Sequence, residues 1–184
     1  MNTRFSSPTK AKGFIRKDLK DVLRWLLVST ALWEYYKNID NNHGDEVSMA
    51  MHTNVISSRA LFEFFTGKPR RNGTGNDAYA TELGISKPYT SKLYIQGIRR
   101  RKWREAMNRH IGHISIQRSK PTNIKGGQHL NNMMPEFQSE ILRLWSKLEN
   151  DVSLRRDYRD ELIKARLAAE NDCKNALARF SPKK

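Results

Sequence analysis

At 184 residues the chain is long enough for one well-cored domain, and its 34 Lys and Arg outnumber 19 Asp and Glu for a formal net charge of +15. That excess is larger than solubility requires and points to a polyanionic partner. No apolar run reaches membrane-spanning length, since the longest, over 22–32, is broken by Arg24; the single cysteine, Cys173, excludes an intrachain disulfide framework and fits a reducing, cytoplasmic setting.

In chain order, residues 1–13 carry scattered charges with Ser6, Ser7, Pro8 and Gly13 and no apolar period, so they read as a flexible basic arm. A helix is expected from Phe14, where Ile15, Leu19, Val22, Leu23, Leu26 and Leu27 recur at three- and four-residue steps; Trp25 and Trp33 extend its apolar surface. The run at 40–46, DNNHGDE, is a turn. A second helix holds Val47, Met51, Val55, Phe62 and Phe65, with Gly67 as its stop. The loop 67–76, GKPRRNGTGN, lacks the GK[ST]-then-helix order of a nucleotide cradle, but Lys68, Arg70 and Arg71 are candidate phosphate contacts.

Residues 79–96, YATELGISKPYTSKLYIQ, resemble a repressor-type helix-turn-helix. Ala80 stands at the small position of a first helix, Gly84 at the turn, and Leu83, Ile85 and Leu93 at the apolar plugs. Ser86 would cap the second helix with Pro88 in its first turn, and Lys87, Tyr89, Thr90 and Lys92 would face a DNA groove. Thr90 departs from the usual apolar interior site.

A basic collar follows, Arg99, Arg100, Arg101, Lys102 and Arg104, and leads into a helical spacing in which Trp103, Met107, Ile111 and Ile114 share one face. His110 falls inside that apolar arc. His113 lies on its flank, with Arg109 and Lys102 on the same edge, an arrangement suited to phosphate and to proton transfer. After a loop at 119–129, Pro135 opens a helix with Phe137, Ile141, Leu144, Trp145 and Leu148. The last segment, 152–180, carries Leu154, Tyr158, Leu162, Ala165, Ala169, Ala176 and Phe180, with Asp160–Lys164 and Glu170–Lys174 placed as i,i+4 pairs. The class expected is all-α: one antiparallel bundle of about five to six helices over 14–180, with a tail at 181–184.

The segments RALFEFFTGKPRR (59–71) and AMNRHIGHISIQR (106–118), in that order and followed by a helix, resemble an uncharacterised group of bacterial helical proteins. More distantly they resemble the HEPN families of toxin–antitoxin and abortive-infection systems. That resemblance implies an RNA-directed helical protein, a homodimer and, where the family's arginine–polar–histidine motif is kept, metal-independent ribonuclease chemistry. Two registers exist: Asn108 with His113, which puts Met107 in the arginine position, and Arg104 with His110, which puts Glu105 in the polar one. The resemblance would make His113 the acid–base and Arg109 or Arg104 the phosphate clamp.

No cofactor motif or zinc-type ligand spacing is present. Three functions follow as expectations: association with nucleic acid, RNA before DNA; a DNA-binding regulator using 79–96; and a non-enzymatic subunit docking on an acidic protein. No membrane partner is expected.

Overall fold

The structure is a computed structural model and describes residues 5, 7–37, 44–67, 78–91, 93 and 133–180. Among these, the regular elements are helical, confirming the all-α class. Helix α1 occupies 8–37, as an α-helix Pro8–Phe14, a π-helical stretch Ile15–Leu19 and an α-helix Lys20–Lys37. Then come α2 (Gly44–Thr66), a 3₁₀ turn (Ala80–Leu83), α3 (Met134–Glu149) and α4 (Arg156–Phe180). No described helix is long and apolar enough to cross a membrane.

The flexible arm expected over 1–13 is corrected from Ser7 onward. Ser7 is an extended N-cap whose Oγ accepts from the Lys10 backbone N–H, and Pro8 occupies the first turn, where its missing N–H costs nothing. Ala11 is fully buried and Phe5 packs on Phe14 with ring centroids 5.3 Å apart, so this stretch belongs to the core.

The π-helical stretch has a geometric cause. Ala11, Ile15, Leu19, Leu23 and Leu27 are buried at strict four-residue steps. A regular α-helix would rotate such a row by about 40° per step out of the core. The Lys20 N–H reaches back five residues to the Ile15 carbonyl, and the wider turn returns the row to its face.

The direction of the helices follows from their contacts. Thr30 meets Asn54 and Phe14 meets Phe64, so α1 and α2 are antiparallel; Glu149 meets Arg166 while Gln138 and Ser139, earlier in α3, share a cleft with Glu170 and Cys173, later in α4, so α3 and α4 are too. Arg16–Glu161 and Tyr35–Phe180 share one sequence separation, 145, as does the Lys12–Asp157 pair; α1 and α4 therefore run parallel. Phe62–Phe137 and Phe65–Trp145 rise together, so α2 and α3 are parallel as well. The architecture is thus two antiparallel hairpins joined by the long connection between α2 and α3, which differs from a purely antiparallel bundle.

The main core cluster holds Leu23, Leu26, Phe62, Phe65, Phe137, Trp145, Leu162 and their neighbours, and Trp33, Ala50 and Met134 form a smaller second one. A buried polar relay crosses the core: Ser58 Oγ donates to Asn54 Oδ1, Asn54 Nδ2 to Thr30 Oγ1 and Thr30 Oγ1 to the Leu26 carbonyl. Satisfied in this way, the relay fixes the register of α1 on α2. Trp25, expected to extend the apolar surface, is instead 48% exposed, with the Arg24 guanidinium 4.7 Å from its ring centroid.

Glu161 lies within the α1–α4 seam, where Arg16 donates to both its oxygens at 2.6 and 2.8 Å. These hydrogen bonds hold its carboxyl down at about 2, and hydrogen bonds from Arg155 and Lys12 do the same for Asp157. Both folded-state values are depressed. The stability they contribute is therefore complete above the ordinary carboxylate range and is lost as pH falls from there toward about 2. Thermal melts between those limits should show a falling Tm, with a shallower fall in Glu161→Gln.

Candidate nucleic-acid interface

The described part of the candidate interface is the connection over 78–91. It enters beside α2, where the Gly67 backbone leaves no room for a side chain: an added Cβ would meet the Glu63 carbonyl and lie 2.5 Å from the Tyr79 ring. The Tyr79 N–H donates to Glu82 Oε2 and closes the single 3₁₀ turn. Gly84 ends the turn at φ +108, a conformation open to glycine and strained for other residues.

Over the described residues that follow Gly84, 85–91, the chain does not enter a second helix. Residues 85–91 are irregular, Ile85 is buried, and the Tyr89 N–H donates to the Phe65 carbonyl at the C-terminal end of α2. The helix-turn-helix expectation is corrected here: Ser86 caps no helix over these residues, and Pro88 sits in no first helical turn.

Tyr89 is 6% exposed and faces inward. Its hydroxyl donates to Asp151 Oδ2 at 2.7 Å, and Lys147 Nζ lies 4.8 Å from its ring centroid. Burial first, then the bond to Asp151, pushes the phenol far above its ordinary range. Burial alone would push the Asp151 carboxyl up, but hydrogen bonds from Ser153 and Tyr89 outweigh it and leave the group below its usual value. Arg143 adds a bond to the Thr90 carbonyl while also holding Glu140. Tyr89 is therefore an anchor that ties the connection to the α3–α4 corner, and not a groove-facing contact. Tyr89→Phe should cost about 1 kcal/mol, a few degrees in Tm, with nucleic-acid affinity unchanged. Chemical denaturation and a binding titration on one preparation check both halves.

Of the other expected contacts, Lys87 and Thr90 are exposed on the connection. Lys68, Arg70, Arg71, Lys92, Arg99, Arg100, Arg101, Lys102, Arg104, Asn108, Arg109, His110 and His113 lie outside the described residues.

The charge distribution gives the site its electrostatics. The described residues hold eighteen Lys and Arg against sixteen Asp and Glu, so the bundle is almost neutral. Many of those acids are engaged internally: Glu161 by Arg16 and Lys164, Asp157 by Lys12 and Arg155, Glu140 by Arg143, and Glu149 and Glu170 by Arg166. By contrast, the sequence between 68 and 125, on the connection between the hairpins, carries fourteen basic side chains against Asp77, Glu82 and Glu105.

Clefts lined by described residues include two on the bundle. One, of about 400 Å³, lies between α1, α2 and Ala78, and is lined mainly by apolar side chains such as Phe14, Val22, Ile56 and Phe64, with Asp18 and Arg59 among them. The other, of about 430 Å³, lies between α1, α3 and α4 and includes Thr30, Gln138, Ser139 and Cys173. Burial pushes the Cys173 thiol up, which keeps it protonated and a poor nucleophile. Among the described residues no group of three or more His, Cys, Asp or Glu side chains converges as metal ligands would.

The sequence reading missed Asp151 as the partner of Tyr89. Its local signal is legible, because Asp151 Oδ1 accepts from both the N–H and the hydroxyl of Ser153, an Asx-type turn. Its long-range role carries no local signal. No protein-family model matches the chain, and neither a curated protein nor a solved structure matches it.

Proposed function

We propose that this chain is a nucleic-acid-associated helical protein, with RNA favoured over DNA, in which a neutral bundle carries a strongly basic connection. The observation that supports this most is the partition of charge: near balance among the described residues, and nearly all of the +15 excess elsewhere in the chain. Such concentration suits phosphate neutralisation by Arg99, Arg100, Arg101, Lys102, Arg104 and Arg109, with Lys68, Arg70, Arg71 and Lys87 assisting. The irregular backbone over 85–91 and the inward Tyr89 weigh against groove reading, and so favour RNA.

The HEPN-like segments extend the same reading. With the histidine segment as a further helix, the bundle reaches five, and His113 with Arg109 or Arg104 would form a metal-independent cutting edge, Asn108 beside it.

The test is purification of the full chain at low and high salt, followed by the 260/280 absorbance ratio and identification of extracted nucleic acid. RNA retained at low salt and released at high salt is the expected result. Protein free of nucleic acid that also fails to bind added RNA at low salt refutes the reading. Chelator-resistant cleavage of labelled RNA, lost in His113→Ala, would assign the enzymatic extension.

A further inference from the structure

The cleft of about 430 Å³ between α1, α3 and α4 has the size of a small-molecule site and a mixed lining. Leu27, Ala31 and Pro135 give it an apolar wall. Thr30 Oγ1, also in the lining, is already committed to the buried relay, where it accepts from Asn54 and donates to the Leu26 carbonyl. Two other polar groups of the cleft are not satisfied within the fold, and they call for opposite partners.

The first is Gln138 Oε1, a buried acceptor with no hydrogen-bond partner. A buried carbonyl oxygen without a donor costs free energy, which a ligand N–H would recover. The second is the ammonium of Lys174, an exposed residue of the lining. The expected pairs Asp160–Lys164 and Glu170–Lys174 are not the ones formed: Lys164 turns to Glu161 at 3.6 Å, and Glu170 receives Arg166 at 3.0 Å. Among the described residues, Lys174 is left in no ion pair or hydrogen bond. With Glu149 level with Arg166, antiparallel α3 sets Gln138 roughly one turn beyond Lys174, about 5 Å along the axis.

We infer that this cleft is a binding site for a free amino acid with an aliphatic side chain. The ligand ammonium donates to Gln138 Oε1, in a lining that also holds the Glu34 and Glu170 carboxylates. The ligand carboxylate meets Lys174, and the side chain lies against Leu27, Ala31 and Pro135. An α-amino acid carries both charges on one carbon, the short separation that Gln138 and Lys174 require. An amine alone would leave Lys174 unpaired, and a carboxylic acid alone would leave Gln138 Oε1 without a donor. A phosphate would meet Lys174 but oppose Glu34 and Glu170. The inference rests on α1, α3 and α4 and is independent of the nucleic-acid reading, whose basic residues lie on the connection.

Cys173 lines the same cleft and is the chain's single cysteine, so its alkylation reports whether the cleft is filled. In the full-length, nuclease-treated protein, iodoacetamide labelling of Cys173 should slow saturably with millimolar L-valine, L-leucine, L-isoleucine or L-methionine. The amino acid that protects best should also raise Tm. Its amine and its carboxylic acid, each lacking one charged group, should bind about tenfold more weakly or worse. Gln138→Leu should keep or raise the Tm of the free protein, because it removes a buried unsatisfied acceptor, and should weaken binding by about tenfold or more. Lys174→Met, at an exposed site, should weaken binding similarly with helical circular dichroism retained. Protection by none of the four amino acids overturns the inference. It also fails if the amine or the acid alone protects as well as the amino acid, or if Lys174→Met or a folded Gln138→Leu protein is protected like the wild type.

Discussion

Replacing Arg99, Arg100, Arg101 and Lys102 together by alanine is expected to weaken RNA binding several hundredfold near 0.1 M salt. If each neutralises one phosphate of a single strand, four contacts contribute roughly 3 to the slope of log affinity against log salt. The loss should therefore approach about 600-fold at 0.1 M relative to 1 M, and vanish as the salt approaches 1 M. The control is the same number of changes on the bundle, at the exposed Lys10, Lys17, Arg156 and Arg179. Bundle cations lie among a nearly equal number of acids, so this control should change the slope much less. Equal losses from the two sets would mean that net charge alone attracts the polyanion. An unchanged slope in the collar variant would remove the collar from the interface. Filter binding across a salt series measures both quantities.

The elements that were legible in the sequence are those whose cause is local. The period of Phe137, Ile141, Leu144, Trp145 and Leu148 marks α3 because a helix with that spacing buries one face, and all five are fully buried. Gly84 marks a turn because the backbone there needs positive φ. The start of α1 was misread although Ser7 and Pro8 are a regular helix opening; Ala11 is the only residue of Pro8–Phe14 that is buried, too little to show an apolar period.

What was not legible depends on distant partners. Tyr89 looks like a solvent-facing aromatic until Phe65 and Asp151 are brought to it, and the parallel course of α1 and α4 rests on contacts 145 residues apart. The i,i+4 pairs of α4 failed for a related reason: each charged group had several neighbours within reach, and Arg166 and Glu161 competed successfully for Glu170 and Lys164. Of the candidate site, composition revealed the basic connection, and spacing alone could not tell an anchor such as Tyr89 from a contact such as Lys87.

Trp145→Ala is expected to have the largest effect on stability. The indole is fully buried, meets the Phe65 ring edge-on at 6.2 Å and donates from Nε1 to Glu149 Oε1 at 2.9 Å. Truncation removes the apolar transfer energy and opens a cavity between α2 and α3, together about 3–5 kcal/mol. For a chain of this size that is roughly 10 °C or more in Tm, and a large part of the total stability of an ordinary domain. The loss should not include an orphaned carboxylate, because Arg166 Nε still holds Glu149 at 2.9 Å. Trp145→Phe separates the two contributions: it keeps most of the packing and drops only the N–H donor, so its cost should be less than half that of alanine. If phenylalanine is as damaging as alanine, the hydrogen bond to Glu149 dominates, and the α3–α4 corner is held by its polar network more than by its core. Because Phe65 also supplies the carbonyl that receives Tyr89, the alanine variant should loosen the connection over 78–91 before the helices melt. Hydrogen exchange at the Tyr89 amide, compared with amides in the middle of α1, reads that order directly.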